Sequence, residues 1–168
     1  LFRSSVTLPY STITISKGKT VSLKAKVSGV SKYTLVWTSS DKSIVSVTDE
    51  GKITGVKKGS ADVTVAIKNT DASAKVKVTV GTPVTGVTVS EKSISVKAGS
   101  TYKISAKVFP SNASNKSLTC SSSDKKVATV SKDGVIKGIK SGSTTITVKA
   151  ADGSGKKATV TVKVTAGN

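Results

Sequence analysis

The side chains that could do chemistry in this 168-residue chain are nine carboxylates and a single thiol. The chain has no His, which excludes a histidine-dependent triad, an imidazole acid–base catalyst and a histidine metal site. The thiol of Cys120 on its own can form neither an internal disulfide nor a thiolate zinc site. The chemistry that remains is that of carboxylates, either a glycosidase-type acid pair or a calcium site.

The carboxylates are scattered, and only Asp49 and Glu50 are adjacent, in front of Gly51 in a turn pattern. Calcium takes six to eight oxygen ligands, usually with several carboxylates among them. The second half of the chain has Lys132 and Asp133 at the corresponding positions, which weakens that site. We therefore expect no enzyme activity, no cofactor and no metal site, with weak calcium binding at Asp49 and Glu50 as the alternative left open.

The chain is strongly basic, with 27 Lys and Arg against nine Asp and Glu and a formal net charge of +18. Residues 1–83 hold 13 basic and 5 acidic residues, and residues 84–168 hold 14 and 4, so the charge belongs to the whole chain. Polyanions are the natural partners of such a surface. Specific nucleic acid binding is disfavoured, because aromatic residues make up 4% of the chain and Arg3 is its only arginine. The alternative is that spread lysines keep the protein soluble and its strand edges unpaired.

The sequence contains an internal repeat of about 80 residues. Residues 37–66 align without a gap onto residues 120–149, and residues 74–80 align onto residues 158–164. A Gly-Thr-Pro stretch at positions 81–83 separates the copies. We predict two domains, 1–81 and 82–168.

Apolar residues alternate with Lys, Ser and Thr in both copies, as in the run Val21, Leu23, Ala25 and Val27. This period of two is typical of strands with one buried and one solvated face, and no segment shows the spacing of an amphipathic helix. About seven short antiparallel strands per copy predict an all-β fold of two tandem β-sandwiches. Trp37 is predicted to lie in the first core, and in the second copy Cys120 replaces it as a small buried side chain.

A glycine pattern recurs in both copies. The pattern begins with a turn that contains Asp and continues with an apolar residue and a turn that ends in Gly. An Ile, a Gly and a further Gly follow, and then a long alternating strand begins. These residues are Asp41, Val47, Gly51, Ile53, Gly55 and Gly59 in the first copy, and Asp124, Val130, Gly134, Ile136, Gly138 and Gly142 in the second. Together they closely resemble the bacterial Ig-like domain of group 2, the invasin and intimin type.

This resemblance implies two tandem Ig-like sandwiches and a family that shares no catalytic residues. It also implies a non-catalytic structural or adhesive module, a stalk or spacer, in an extracellular bacterial protein at the cell surface or in the cell wall. We expect no transmembrane segment, because no apolar run approaches the roughly 20 residues that a bilayer requires. No signal peptide is recognisable at the start, and we expect neighbouring domains of a longer parent chain.

The alternative function is a binding module for anionic cell-wall or host polysaccharides, such as teichoic acid or a glycosaminoglycan. Its candidate contacts are lysines on the solvated register of the second and last strands of each copy. If the two sets share a face, each copy carries a basic stripe that holds a flexible polyanion through its phosphate or sulfate groups. The candidates are Lys24, Lys26, Lys103 and Lys107 on the second strands, and Lys75, Lys77, Lys157 and Lys163 on the last.

Overall fold

The computed structural model describes residues 3–167, and every regular element within that range is a β-strand. The chain divides into two units, of which the first ends at Pro83 and the second begins at Val84. Segments in which apolar and polar residues alternate therefore form strands in both copies of the repeat, as the sequence predicts. The fold class is all-β, with two tandem Ig-like sandwiches.

Each unit contains nine strand segments within the described residues. The first strand of a sandwich is split into two segments, and so is the second, so nine segments correspond to about seven strands. In unit 1 they are β1 (Ser5–Thr7), β2 (Thr12–Ile15), β3 (Thr20–Ser22), β4 (Lys26–Ser28), β5 (Leu35–Ser39), β6 (Val45–Val47), β7 (Lys52–Gly55), β8 (Gly59–Ile67) and β9 (Ser73–Val80). In unit 2 they are β10 (Gly86–Val89), β11 (Ser93–Lys97), β12 (Thr101–Lys103), β13 (Ala106–Phe109), β14 (Leu118–Ser122), β15 (Ala128–Val130), β16 (Val135–Gly138), β17 (Gly142–Ala150) and β18 (Lys157–Thr165).

The two units have the same sheet topology. One layer is a four-stranded sheet, in the order β2-β9-β8-β5 in unit 1 and β11-β18-β17-β14 in unit 2. The other layer consists of a three-stranded sheet (β3-β7-β6 or β12-β16-β15) and a strand pair (β1-β4 or β10-β13). The chain thus changes layer between the two segments of its first strand.

One strand pairing in each unit is parallel, which the sequence does not predict. β2 runs parallel to β9, and β11 runs parallel to β18, while the other pairings are antiparallel. The cause is the change of layer, because the second segment of the first strand comes to lie beside the last strand in the same direction.

A core of alternating Val and Ile side chains lies between the layers of each unit. In unit 1 Val63, Val65, Val76 and Val78 are fully buried, and Trp37 joins them at 8% exposure. Burial of each such side chain contributes roughly 1.5–3 kcal/mol. The prediction that Trp37 lies in the core is confirmed.

The recurring glycines occupy positions that a side chain would disturb. Gly51 and Gly134 have φ angles of 77° and 78° in the turns before β7 and β16, where glycine is favoured. A Cβ at Gly55 would lie 3.0 Å from the carbonyl oxygen of Ser16. The glycine pattern therefore encodes the turns and the close approach of neighbouring chain segments.

Candidate polyanion-binding faces

Several carboxylates have structural roles. The Oδ1 atom of Asp41 accepts hydrogen bonds from the backbone N–H of Ser43 (2.9 Å) and from its hydroxyl (2.6 Å), in an Asx turn. Asp152 is fully buried and accepts from the backbone N–H groups of Val84 (2.7 Å) and Ser154 (3.0 Å). These carboxylates hold backbone groups in place, which accounts for their positions without any catalytic role.

No cluster of metal-ligating residues occurs among residues 3–167, since no three Cys, Asp or Glu side chains come together there. Asp49 and Glu50 are exposed at the tip of the β6–β7 turn, where the Gly51 N–H donates to the Thr48 carbonyl (2.9 Å). In the same described range no helix is long and apolar enough to span a bilayer.

Three side chains among residues 3–167 have shifted pKa values. The hydrogen bonds from the hydroxyl and the backbone N–H of Ser43 lower the pKa of Asp41. The hydroxyl of Tyr102 donates to Glu91 Oε2 (2.7 Å), and this bond raises the pKa of Tyr102. Burial raises the pKa of the Cys120 thiol. Each shift has a local cause, either a hydrogen bond or burial of the group itself.

All eight candidate lysines are exposed, but they lie on two different layers. Lys26 and Lys107 are on β4 and β13, Lys103 is on β12, and Lys24 lies between β3 and β4. The remaining four belong to β9 and β18 in the four-stranded sheets. The two sets therefore lie on opposite outer faces of each sandwich and do not form one stripe, because the second strand pairs with β1 and β7 and not with the last strand.

In unit 1 a carboxylate interrupts the basic face of the four-stranded sheet. Asp62 of β8 lies opposite Lys77 of β9, and its Oδ2 forms an ion pair with Lys75 Nζ at 3.1 Å. The side chains of this pair are 62% and 40% exposed, so solvent screens it. Asp62 nevertheless offsets part of the positive charge that Lys75 and Lys77 bring to this face.

The four-stranded sheet of unit 2 has an outer face made only of Ser, Thr and Lys among its described residues. The position of Asp62 is taken by Thr145, which lies opposite Thr161. We refer to this surface as the lysine–hydroxyl face. It comprises Ser93, Ser95 and Lys97 of β11, Lys157, Thr159, Thr161, Lys163 and Thr165 of β18, Ser143, Thr145, Thr147 and Lys149 of β17, and Thr119 and Ser121 of β14.

The lysines of this face lie in two groups at the ends of β18. Lys149 is directly opposite Lys157, a placement that brings Cβ atoms to roughly 5 Å. Lys163 lies opposite Ser95, one diagonal step from Lys97. The sequence reasoning missed Lys97 and Lys149, although the same two-residue alternation, extended to β11 and β17, would have found them.

Like charges that face each other across two strands destabilise a sheet. An anion between Lys149 and Lys157 would remove that repulsion, and hydroxyl groups line the roughly 20 Å of β18 between this pair and Lys163. The arrangement is therefore suited to hold a chain of anionic and hydroxyl-bearing groups without reading its sequence.

In comparison with known proteins, each copy of the internal repeat matches the same family. Residues 4–81 and 83–162 each match the bacterial Ig-like domain (group 2). A 3-O-alpha-D-galactosyl-alpha-L-arabinofuranosidase of Bifidobacterium longum subsp. longum is 39% identical over 87 residues, which is 48% of this chain and 8% of that enzyme. An Ig-like virion protein of Serratia phage KSP90 is 44% identical over 71 residues, 42% of this chain and 28% of that protein.

Among solved structures, domains 1–6 of the surface layer protein SbsC are similar with a TM-score of 0.43 and 24% identity, over 99% of this chain and 28% of that one. The chain thus spans only a small part of the length of the curated relatives it matches. The two family matches account for nearly all of the sequence. The chain belongs to the bacterial Ig-like domain (group 2) family and carries two tandem copies of the domain.

Proposed function

We propose that the two units are a non-catalytic, load-bearing spacer within an extracellular protein of the bacterial surface or of a secreted multidomain chain. The observation that carries this proposal is the parallel pairing of the first and last strands of each unit, β2 with β9 and β11 with β18. The modest share of each relative that the match covers supports a role as one segment of a longer protein.

The parallel pairing determines how the hydrogen bonds of a unit resist a pulling force. Tension enters a unit at the start of its first strand and leaves at the end of its last strand, so it pulls two parallel neighbours in opposite directions. This loads the hydrogen bonds between them together, in shear, and not one after another. The N–H of Lys77 donates to the Ser11 carbonyl (3.0 Å) and that of Gly81 to the Ile15 carbonyl (2.9 Å), at the two ends of the pair in unit 1.

Pulling the whole chain by its ends in an optical trap tests this proposal. We expect two discrete unfolding steps, each releasing a unit of about 80 residues or on the order of 250–290 Å of extended chain. Smooth lengthening without steps, or one step that releases both units, would contradict a spacer built from two load-bearing sandwiches.

A second candidate function is supported by the lysine–hydroxyl face of unit 2. This surface presents Lys97, Lys149, Lys157 and Lys163 with no carboxylate among its described side chains, whereas Asp62 offsets the equivalent face of unit 1. We infer that it holds anionic cell-wall or host polysaccharide. At physiological salt the Debye length is about 8 Å, so clustered lysines contribute far more than isolated ones.

Heparin chromatography of matched variants tests the second candidate. One variant replaces the four lysines of the face by Gln, and a control replaces four exposed lysines elsewhere, Lys19, Lys42, Lys68 and Lys125, so that both lose four charges. We expect the face variant to elute at a clearly lower salt concentration than the control, because counterion release scales with the phosphates or sulfates neutralised. Equal elution of the two variants would show that net charge alone is responsible and would refute a binding face.

A further inference from the structure

Unit 2 contains an open cavity of about 270 Å³ at the side of its core, beside Cys120. Cys120 is only partly buried and lines this cavity, together with Ile104, Leu118, Gly134 and Val148. The sequence predicts a buried Cys120, so its partial exposure is a correction. The physical reason is that a cysteine is too small to fill a place that the fold shapes for a larger side chain.

Unit 1 shows which side chain that place accommodates. Trp37 occupies the position of Cys120, as each lies opposite the equivalent valine of the neighbouring strand, Val65 or Val148. The Trp37 indole lies directly over Gly51, where an added Cβ would be 2.5 Å from its Cζ2 atom and 2.7 Å from its Cε2 atom.

The equivalent glycine of unit 2 is also buried, but under an aliphatic side chain and not under an indole ring. A Cβ added at Gly134 would meet Ile104 first, at 3.2 Å from Cγ1, and no atom of Cys120 is among its three nearest neighbours. Ile104 and Val148 are 7% and 1% exposed, so these two lining residues belong to the core of unit 2. Where unit 1 has the Trp37 indole, unit 2 thus has Ile104 over the glycine and an open cavity beside Cys120.

The rim of the cavity is basic. Lys116 and Lys132 lie on it against a single carboxylate, Asp133, and all three are exposed. Lys116 Nζ donates to the Ser111 carbonyl at 3.1 Å, which holds its ammonium group near the opening. A ligand that enters with a negative group facing outward would meet these two ammonium groups.

We propose that this cavity binds a planar aromatic ring that carries a carboxylate, with the ring beside Cys120, on the side of the core where unit 1 places its own indole, and the carboxylate at the lysine rim. An apolar cavity of about 150 Å³ is sufficient for benzene, so the larger open cavity here has room for a bicyclic ring. The neutral thiol of Cys120 contacts the ring as an apolar group and takes no part in bond formation.

Titration calorimetry of the full chain with indole-3-acetate tests the site, with neutral indole as a comparison ligand. We expect one binding site per chain in the wild type. Cys120→Trp fills the cavity as unit 1 does and should weaken binding at least tenfold, whereas the matched variant Cys120→Ser leaves it open and should change the affinity by less than about threefold. Lys132→Gln should weaken binding of indole-3-acetate and leave that of indole unchanged.

Amide chemical shifts of the wild-type chain locate the ligand even if Cys120→Trp does not fold. Shifts centred on Gly134, Ile104 and Val148 support the proposal. No binding at millimolar ligand, shifts centred elsewhere, or unchanged affinity in a folded Cys120→Trp variant would overturn it.

Discussion

Gly51 and Gly134 occupy equivalent turn positions but have different neighbouring side chains, so their Ala variants can be compared directly. Gly51 and Gly134 share a positive φ, but only Gly51 lies under an indole ring. Gly134→Ala should cost about 1–2 kcal/mol, mainly from the left-handed backbone, because Ile104 Cγ1 at 3.2 Å needs to shift only slightly. Gly51→Ala should cost roughly 1–3 kcal/mol more, because its methyl group must displace Trp37 from a packed core.

Urea unfolding of both variants, followed by amide hydrogen exchange in the affected unit, measures this difference. The account predicts that Gly51→Ala is clearly the more destabilising. Equal losses would mean that Ile104 resists the added methyl group as strongly as Trp37 does, and would contradict the different surroundings of the two glycines.

Asp41 makes unit 1 sensitive to acid. Its pKa is lowered in the folded state by the hydrogen bonds from Ser43, so its contribution to stability is present above the ordinary carboxyl pKa of 3.8. The contribution is lost as the pH falls through that value towards the lower folded pKa. Asp41→Asn keeps the Oδ1 acceptor but removes the charge. Unit 1 of this variant should therefore lose less stability than the wild type between about pH 5 and pH 3.

Thermal unfolding at several pH values, monitored by Trp37 fluorescence, checks this expectation. Asp49→Asn removes the same charge from the exposed β6–β7 turn and serves as the control. An identical acid response of the wild type and Asp41→Asn would show that the Asx turn does not depend on the charge of Asp41.

Asp152 is the buried carboxylate that holds the first residue of unit 2. Asp152→Ala leaves the N–H groups of Val84 and Ser154 without their acceptor, and hydrogen bonds to a charged group contribute about 1.5–3 kcal/mol. We expect unit 2 to lose about 2–3 kcal/mol, and Asp152→Asn, which retains one oxygen, to lose less. Hydrogen exchange of unit 2 amides measures both losses, and an undiminished stability of Asp152→Ala would contradict this role.

At the scale of elements, the parallel pair predicts where force resistance resides. Lys77 is exposed, and its N–H donates to the carbonyl of Ser11, directly before β2, so Lys77→Pro removes one shear-loaded hydrogen bond without removing a core side chain. Lys77→Ala keeps the N–H and is the matched control. In the optical trap we expect Lys77→Pro to lower the unfolding force of one unit only, while Lys77→Ala leaves both steps near their wild-type forces. A reduced force in the control would place the resistance in side-chain contacts instead.

Strands and turns were predictable from the sequence because they depend on local patterns. The alternation around Val21 and Leu23 predicts a strand with one buried face, and the Asp41 and Gly51 positions predict turns that the structure contains. Partners of strands depend on the path of the chain, and no local pattern encodes that path. The parallel place of β2 beside β9 was therefore missed.

The positions of the candidate lysines were predictable to the same extent, and their binding role stays a prediction. Alternation correctly places all eight candidate lysines in solvent, but it does not assign Lys26 and Lys75 to different layers. The replacement of Trp37 by Cys120 is visible in the aligned repeats. Its consequence, an open cavity beside Cys120, depends on how the neighbouring core residues pack, and the aligned repeats do not show that packing.

At the scale of the whole molecule, the central claim is that each repeat is a self-sufficient sandwich. The core of unit 1 is made of residues from Val6 to Val80, and the core of unit 2 of residues from Val84 to Val164. Removing the largest side chain of the first core should therefore weaken that unit and leave the second one intact.

Native-state hydrogen exchange of the full chain carrying Trp37→Ala tests this claim most directly. Loss of a buried Trp costs about 3–5 kcal/mol, which corresponds to a fall of at least 100-fold in the protection of unit 1 core amides such as those of Val63 and Val78. The account predicts that core amides of unit 2, such as those of Val148 and Val162, keep their wild-type protection. A parallel fall in both units would contradict two independent sandwiches and with them the proposed spacer.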